Sequence, residues 1–183
     1  FVPKRAKLLF AVVAAFSFVA AIAVSYRNEA FVFYLTPFRA WELALGALLA
    51  IGFIPAPQSM LWRNLCGAAG LVLLFGVIVF GSSSAPLLLM TSLAAVGATL
   101  VIASSERGVS MVGRLLSLRP FVFVGLISYS LYLWHWPLIV FQHTDAILAL
   151  GSPATVKLTL VVLSVGMAYL SWKLIELPFR SLA

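Results

Sequence analysis

Long apolar stretches alternate with short polar breaks along this chain, and the pattern predicts six membrane-length helices. The first runs over about Leu8–Val24 and ends in the polar cluster Ser25 to Glu29. Residues 30–36 form a short apolar segment rich in aromatics, suited to a membrane interface. The second span opens with Pro37 in its first turn behind Thr36 as N-cap. It runs to about Ile54, where Pro55 and Pro57 stop it. The third covers about Leu65–Phe80 and the fourth about Pro86–Ala103, joined by a tight turn over 81–84. Residues 104–120 make the longest polar connection. The fifth span covers about Phe121–Gln142, and the sixth, after a loop from His143 to Pro153, about Ala154–Ile175. Each run is continuous, not alternating, so helices are predicted and a barrel is not. The fold class expected is all-α: a polytopic membrane helix bundle of about six transmembrane helices.

Six crossings place both ends on one side. That side receives Lys4, Arg5, Lys7, Arg63, Arg107, Arg114, Arg119, Lys173 and Arg180, nine cations. The other receives Arg27, Arg39 and Lys157, three. The asymmetry assigns both ends to the cytoplasm.

Composition narrows the class further. Of 183 residues, 63% are hydrophobic and 9% charged, with a mean hydropathy of +1.13. A soluble domain carries about 25% charged residues. The balance therefore excludes a disordered chain, a secreted disulfide module and a nucleic-acid-binding domain. The net charge of +7 lies in the loops, where it signals topology and contact with lipid headgroups. Cys66 is the single cysteine, so no internal disulfide forms. His143 and Asp145 are too few to make a metal site, and no metal is expected. No nucleotide-binding or zinc-protease signature is present. The opening Phe1 to Lys7 reads as a loop entering a helix, not a signal peptide, so a longer protein with further N-terminal helices is expected.

A few polar residues sit where lipid would penalise them. Arg39 and Glu42 lie three apart in the second span and share a helix face. Glu42 is expected to turn inward and pair with Arg39. The pair is either part of a polar cavity or a structural ion pair at the interface. In the fifth span, Ser128, Tyr132 and His135 recur at helical spacing, with Tyr129 and Trp136 on a neighbouring stripe. Pro137 removes one helical hydrogen bond and frees the Leu133 carbonyl near the imidazole. His135 serves either proton transfer and ligand orientation or helix packing. Ser128, Tyr129 and Trp136 are the candidate substrate contacts. Arg39, Glu42 and His135 all fall in the outer half of the membrane, and are expected to line one outward-open cavity if their spans are neighbours. Glu176, near a helix C-terminus, calls for a cation such as Arg180 or Arg119. Gly67, Gly70, Gly76 and Gly97 read as close-packing positions.

Three segments carry a resemblance: Phe38–Ala47 (FRAWELALGA), Phe123–Pro137 (FVGLISYSLYLWHWP) and Ile175–Arg180 (IELPFR). Together they resemble the integral-membrane acyltransferase-3 family, in its branch of bacterial surface-polysaccharide O-acetyltransferases (lipopolysaccharide among the acceptors). The resemblance implies the C-terminal six of about ten helices in the bacterial inner membrane. It implies acyl transfer, usually of acetyl, from cytoplasmic acyl-CoA as donor substrate to a sugar hydroxyl of an extracytoplasmic glycan, with no bound cofactor. Arg39, Glu42 and His135 match positions in the family's motifs. The family's catalytic histidine belongs to its first helix, which this chain does not contain, so the segment alone is expected to be inactive. The competing functions are a transporter or flippase for a small or lipid-linked solute, which would call for an inverted repeat, and a non-catalytic membrane scaffold.

Overall fold

A computed structural model describes residues 3–81, 85–141 and 153–181. The predicted turn beyond Gly81 and the loop with His143 and Asp145 lie outside the described residues. In order, the helices are α1 (Lys4–Ser25), α2 (Glu29–Tyr34), a 3-10 turn (Thr36–Phe38), α3 (Ala40–Ala50), α4 (Met60–Phe80), α5 (Leu87–Glu106), α6 (Met111–Leu116), α7 (Arg119–Phe141) and α8 (Pro153–Ser171). A π-helical turn, Trp172–Glu176, then leads into α9, Leu177–Ser181. No strand occurs among the described residues, and five helices are long and apolar enough to cross a membrane. The chain is a multi-pass membrane protein with the all-α bundle class that its apolar runs predict. Its contacts divide it into two units, Phe1–Leu115 and Leu116–Ala183.

The second predicted span departs from expectation. Over 37–54 the structure holds a 3-10 turn and an α-helix of 11 residues, about 16 Å long. Thr36 does not act as a side-chain cap. Its carbonyl accepts the Arg39 N–H at 3.0 Å, while Phe38 N–H bonds to the Leu35 carbonyl at 3.1 Å. Pro37 suits the first turn of either helix type, because its missing N–H would be unpaired in both.

The cap comes instead from α1. Ser17, 4% exposed, donates to the Pro37 carbonyl at 2.5 Å and accepts the Trp41 N–H at 3.1 Å. One hydroxyl thus satisfies the bend and a free donor of the first turn of α3. Around it, Ala14, Trp41, Ala44 and Leu48 form the buried core of the first unit, with the Phe18 and Trp41 rings edge to face at 4.9 Å.

These contacts set direction. α3 starts beside Ser17 and ends near Lys7, whose Nζ lies 3.8 Å from the place a Cβ on Gly52 would occupy. It therefore runs antiparallel to α1 and returns the chain to the Lys4 end. Ser17 is eight residues short of Ser25, so α3 begins about 12 Å inside the far end of α1. Irregular backbone at such depth is tolerated where protein covers it or a wet cavity adjoins it. Here α2 and the 3-10 turn fill the remaining height against α1. Asn28 caps α2, accepting the Phe31 N–H at 3.3 Å.

Helices α4 and α5 pack backbone to backbone. A Cβ on Gly70 would meet the Gly97 carbonyl at 2.6 Å, and one on Gly97 would meet the Gly70 carbonyl at 3.0 Å. Gly67 is similarly tight against Ser104 and Val112, so three of the predicted close-packing glycines hold that role. Gly76 does not: among the described residues, nothing lies within 4 Å of its Cβ position. At the other end of this pair the predicted polar connection contains α6. It is held by Asn64, which accepts the Met111 N–H at 3.0 Å, and by Ser104, Ser105 and Ser110, whose hydroxyls lie 3.0–3.4 Å apart.

In the second unit α7 packs on α8. Ile127 and Ser130 are buried from α7, and Leu160, Ser164 and Ala168 from α8, at four-residue spacing. The helix does not end at Glu176. Pro178 has no N–H to donate to the Leu174 carbonyl, and the turn before it widens so that Leu177 N–H reaches the Trp172 carbonyl.

Candidate functional site

The polar side chains singled out from the sequence gather in two places, one in each unit. In the first, α3 begins with Arg39 and places Glu42 one turn on. The two pair as their spacing predicts: Arg39 Nη2 donates to Glu42 Oε2 at 3.1 Å, and Nε reaches both carboxylate oxygens at 3.3–3.4 Å. Arg39 Nη1 has no partner among the described residues. The Arg39 and Glu42 side chains are 44% and 20% exposed, so the pair is partly shielded by protein and open on one side.

An open cavity of about 230 Å³ adjoins the pair, lined by Phe33, Tyr34, Thr36, Arg39, Glu42 and Leu43. On its other flank Leu87, Leu88 and Thr91, from the start of α5, close against Phe38 and Val32. The site is net neutral, since carboxylate and guanidinium cancel. Arg39 brings guanidinium donors and Glu42 acceptor lone pairs to its lining, so a group that both accepts and donates, such as a hydroxyl, fits it. The Phe33 ring lies under the guanidinium, with Arg39 Cζ 5.3 Å from the ring centroid. The sequence pattern gave no sign of this contact, because it depends on how α2 folds back.

In the second unit a groove of about 490 Å³ runs between α7 and α8, with Ser128, Tyr132, His135 and Ile139 on one wall and Leu160 and Ser164 on the other. The predicted stripe of Ser128, Tyr132 and His135 does share this face. Tyr129 and Trp136, 65% and 63% exposed, do not line it. Ser164 was not anticipated, although a lone hydroxyl in an apolar helix is a readable signal. It donates to Leu160 at 2.7 Å, and Ser128 donates to Gly125 at 2.7 Å, so both keep acceptor lone pairs for the groove.

His135 is partnered differently from expectation. Its Nδ1 lies 3.1 Å from the Leu131 carbonyl, one turn back, and not at Leu133. The side chain of a helical residue leans toward the helix N-terminus, which brings Leu131 within reach. A carbonyl only accepts, so this bond calls for the proton on Nδ1, which in a neutral ring would make Nε2 the acceptor. The Tyr132 ring lies 5.6 Å from the imidazole.

Glu176 sits beside buried Ser130, whose hydroxyl donates to Oε2 at 3.5 Å. Its expected cation Arg180 has a side chain outside the described residues. The nearby Trp172 indole packs on Phe123 and Tyr169, and its buried N–H has no partner among the described residues.

No protein-family model and no solved structure matches the chain. Curated proteins do. The peptidoglycan O-acetyltransferase OatA of Listeria monocytogenes is 26% identical over 97% of this chain and 30% of its own length. The protein YrhL of Bacillus subtilis, described as a putative peptidoglycan O-acetyltransferase, is 31% identical over 82% of this chain and 25% of its own length. The O-acetyltransferase OatA of Staphylococcus aureus is 36% identical over 44% of this chain and 13% of its own length. The chain spans less than a third of the length of these relatives. The likeness to membrane acyltransferases carried by the Arg39, His135 and Glu176 segments is thereby borne out: in sequence, this chain is related to the bacterial O-acetyltransferases of the OatA kind.

Proposed function

We propose that the chain is a membrane-embedded portion of a bacterial O-acyltransferase. It moves an acyl group, acetyl by the relatives' names, from cytoplasmic acyl-CoA to a hydroxyl of an extracytoplasmic glycan. The protein resides in the cytoplasmic membrane. Helices N-terminal to this segment, implied by the motif resemblance, complete the site. The observation that carries the reading is the Arg39–Glu42 pair held beside a cavity within the height of α1, in a chain similar to O-acetyltransferases.

In the transfer, the acceptor oxygen bonds to the acyl carbon as the thioester C–S bond breaks. The hydroxyl proton leaves through a base and ends on the thiolate of coenzyme A, so atoms and charge balance. Within the second unit, Nε2 of a neutral His135 ring is suited to take a proton from a hydroxyl held in the α7–α8 groove. Arg39 Nη1 is suited to donate to the oxygen on which negative charge develops. Glu42 orients the guanidinium, and Ser128 with Ser164 offers acceptors to hydroxyl groups. Tyr129 and Trp136 remain substrate contacts only if a face outside the groove is used.

The test is complementation of a bacterial strain lacking wall-glycan O-acetylation with the whole protein that carries this segment. Wild type, Arg39→Ala, Glu42→Ala and His135→Ala are compared at matched membrane abundance, with O-acetyl groups counted by NMR. Loss in the variants supports the assignment. Full acetylation in all three removes it, and absence of acetylation with wild type removes the activity.

A further inference from the structure

We infer that Phe33 is a positioning residue for Arg39: its ring is a shelf that fixes the guanidinium with Nη1 turned to the cavity. The inference rests on the acyl-transfer reading of the Arg39 site and adds a residue that no motif marks.

Magnitudes lead to Phe33. A helical pair at three-residue spacing is weak when exposed. Holding an arginine in one rotamer costs more side-chain entropy than such a pair returns. Glu42 alone therefore holds the 44%-exposed Arg39 side chain loosely. The second restraint in the structure is the Phe33 ring, 5.3 Å from Arg39 Cζ. A cation over an aromatic face gains more as water is removed, and Val32, Phe38, Leu87 and Leu88 close one flank of this contact. Together the carboxylate and the ring restrain the guanidinium at two places, which one contact cannot do.

The shelf is itself fixed. Val32, beside Phe33, is 6% exposed and anchors α2, and Asn28 caps the helix. The Tyr34 ring meets Phe33 edge to face at 5.1 Å and 86°. Phe33 remains 39% exposed, so a larger ring fits at this place.

The experiment measures the initial rate of O-acetyl transfer by the whole protein in membranes, at matched abundance, for Phe33→Leu, Phe33→Tyr, Phe33→Trp and Arg39→Ala. Leucine keeps the apolar bulk and removes the π face. The expected result is a roughly fivefold lower rate in Phe33→Leu, with Tyr and Trp within about twofold of wild type. A role in packing alone gives the opposite order, with Leu tolerated and Trp impaired, and overturns the inference. So does equal impairment in all three. If Phe33→Leu fails to reach the membrane, Phe33→Met provides the same comparison. Full activity in Arg39→Ala defeats the reading of the site itself, whereas an inactive Arg39→Ala beside an unaffected Phe33→Leu defeats the shelf alone.

Discussion

The hydroxyl of Ser17 accepts the backbone N–H of Trp41 at 3.1 Å, across 24 residues of sequence. This bond joins the middle of α1 to the first turn of α3 and locates Arg39 and Glu42 below the end of α1. Replacing Ser17 by Ala leaves the Trp41 N–H and the Pro37 carbonyl without their partner in a buried place. The expected loss is about 1–2 kcal/mol, the usual worth of an N-cap. Thermal unfolding in detergent measures it. An unchanged midpoint in Ser17→Ala would show that the bond contributes nothing.

Glycine positions in α4 separate into two kinds, and a pair of substitutions distinguishes them. Gly70→Val drives a side chain into the Gly97 carbonyl and is expected to cost about 1–3 kcal/mol through displaced backbone. Gly76→Ala meets nothing within 4 Å and is expected to be neutral or slightly stabilising, since Ala has the higher helix propensity. Equal effects of the two on the unfolding midpoint would contradict the packing described.

The two nitrogens of His135 are separable by substitution. Asparagine places a donor near Nδ1 and can keep the bond to Leu131, while glutamine reaches nearer the place of Nε2. If Nε2 serves the reaction, His135→Asn folds to normal abundance and loses O-acetylation by about a hundredfold or more, the lower end for a lost general base. Wild-type acetylation in His135→Asn would assign the ring to helix packing.

Glu42→Gln removes the charge and keeps the shape. Arg39 then carries an unbalanced positive charge beside the cavity, and the double variant Arg39→Gln/Glu42→Gln restores neutrality. For a partly exposed pair, Glu42→Gln is expected to lower stability by no more than about 1 kcal/mol. The double variant is expected to recover that stability without recovering O-acetylation. Recovery of acetylation in the double variant would make the pair structural.

Much of this architecture was legible in the residue order. The long apolar runs define α1, α4, α5, α7 and α8, because hydrocarbon tolerates few charges and demands closed backbone hydrogen bonding. The Arg39–Glu42 contact followed from three-residue spacing alone. What escaped was tertiary. Pro37 is equally suited to a 3-10 turn and an α-helix, so the break before Ala40 had no local signature. Ser17 reads as one hydroxyl in an apolar helix until Trp41 arrives beside it. Four glycines read alike, and only a facing helix separates Gly70 from Gly76. Leu131, not Leu133, meets His135 because side-chain direction outweighs the carbonyl that Pro137 releases.

The shortness of α3 has a consequence for transport of charge. With only 11 helical residues, its polar start is drawn inward, and Lys7 guards its other end near Gly52. The greasy layer separating these two ionic stations is about half a normal bilayer thick. A polar group reaching in beside α3 from either end would therefore cross much less than a full width of hydrocarbon.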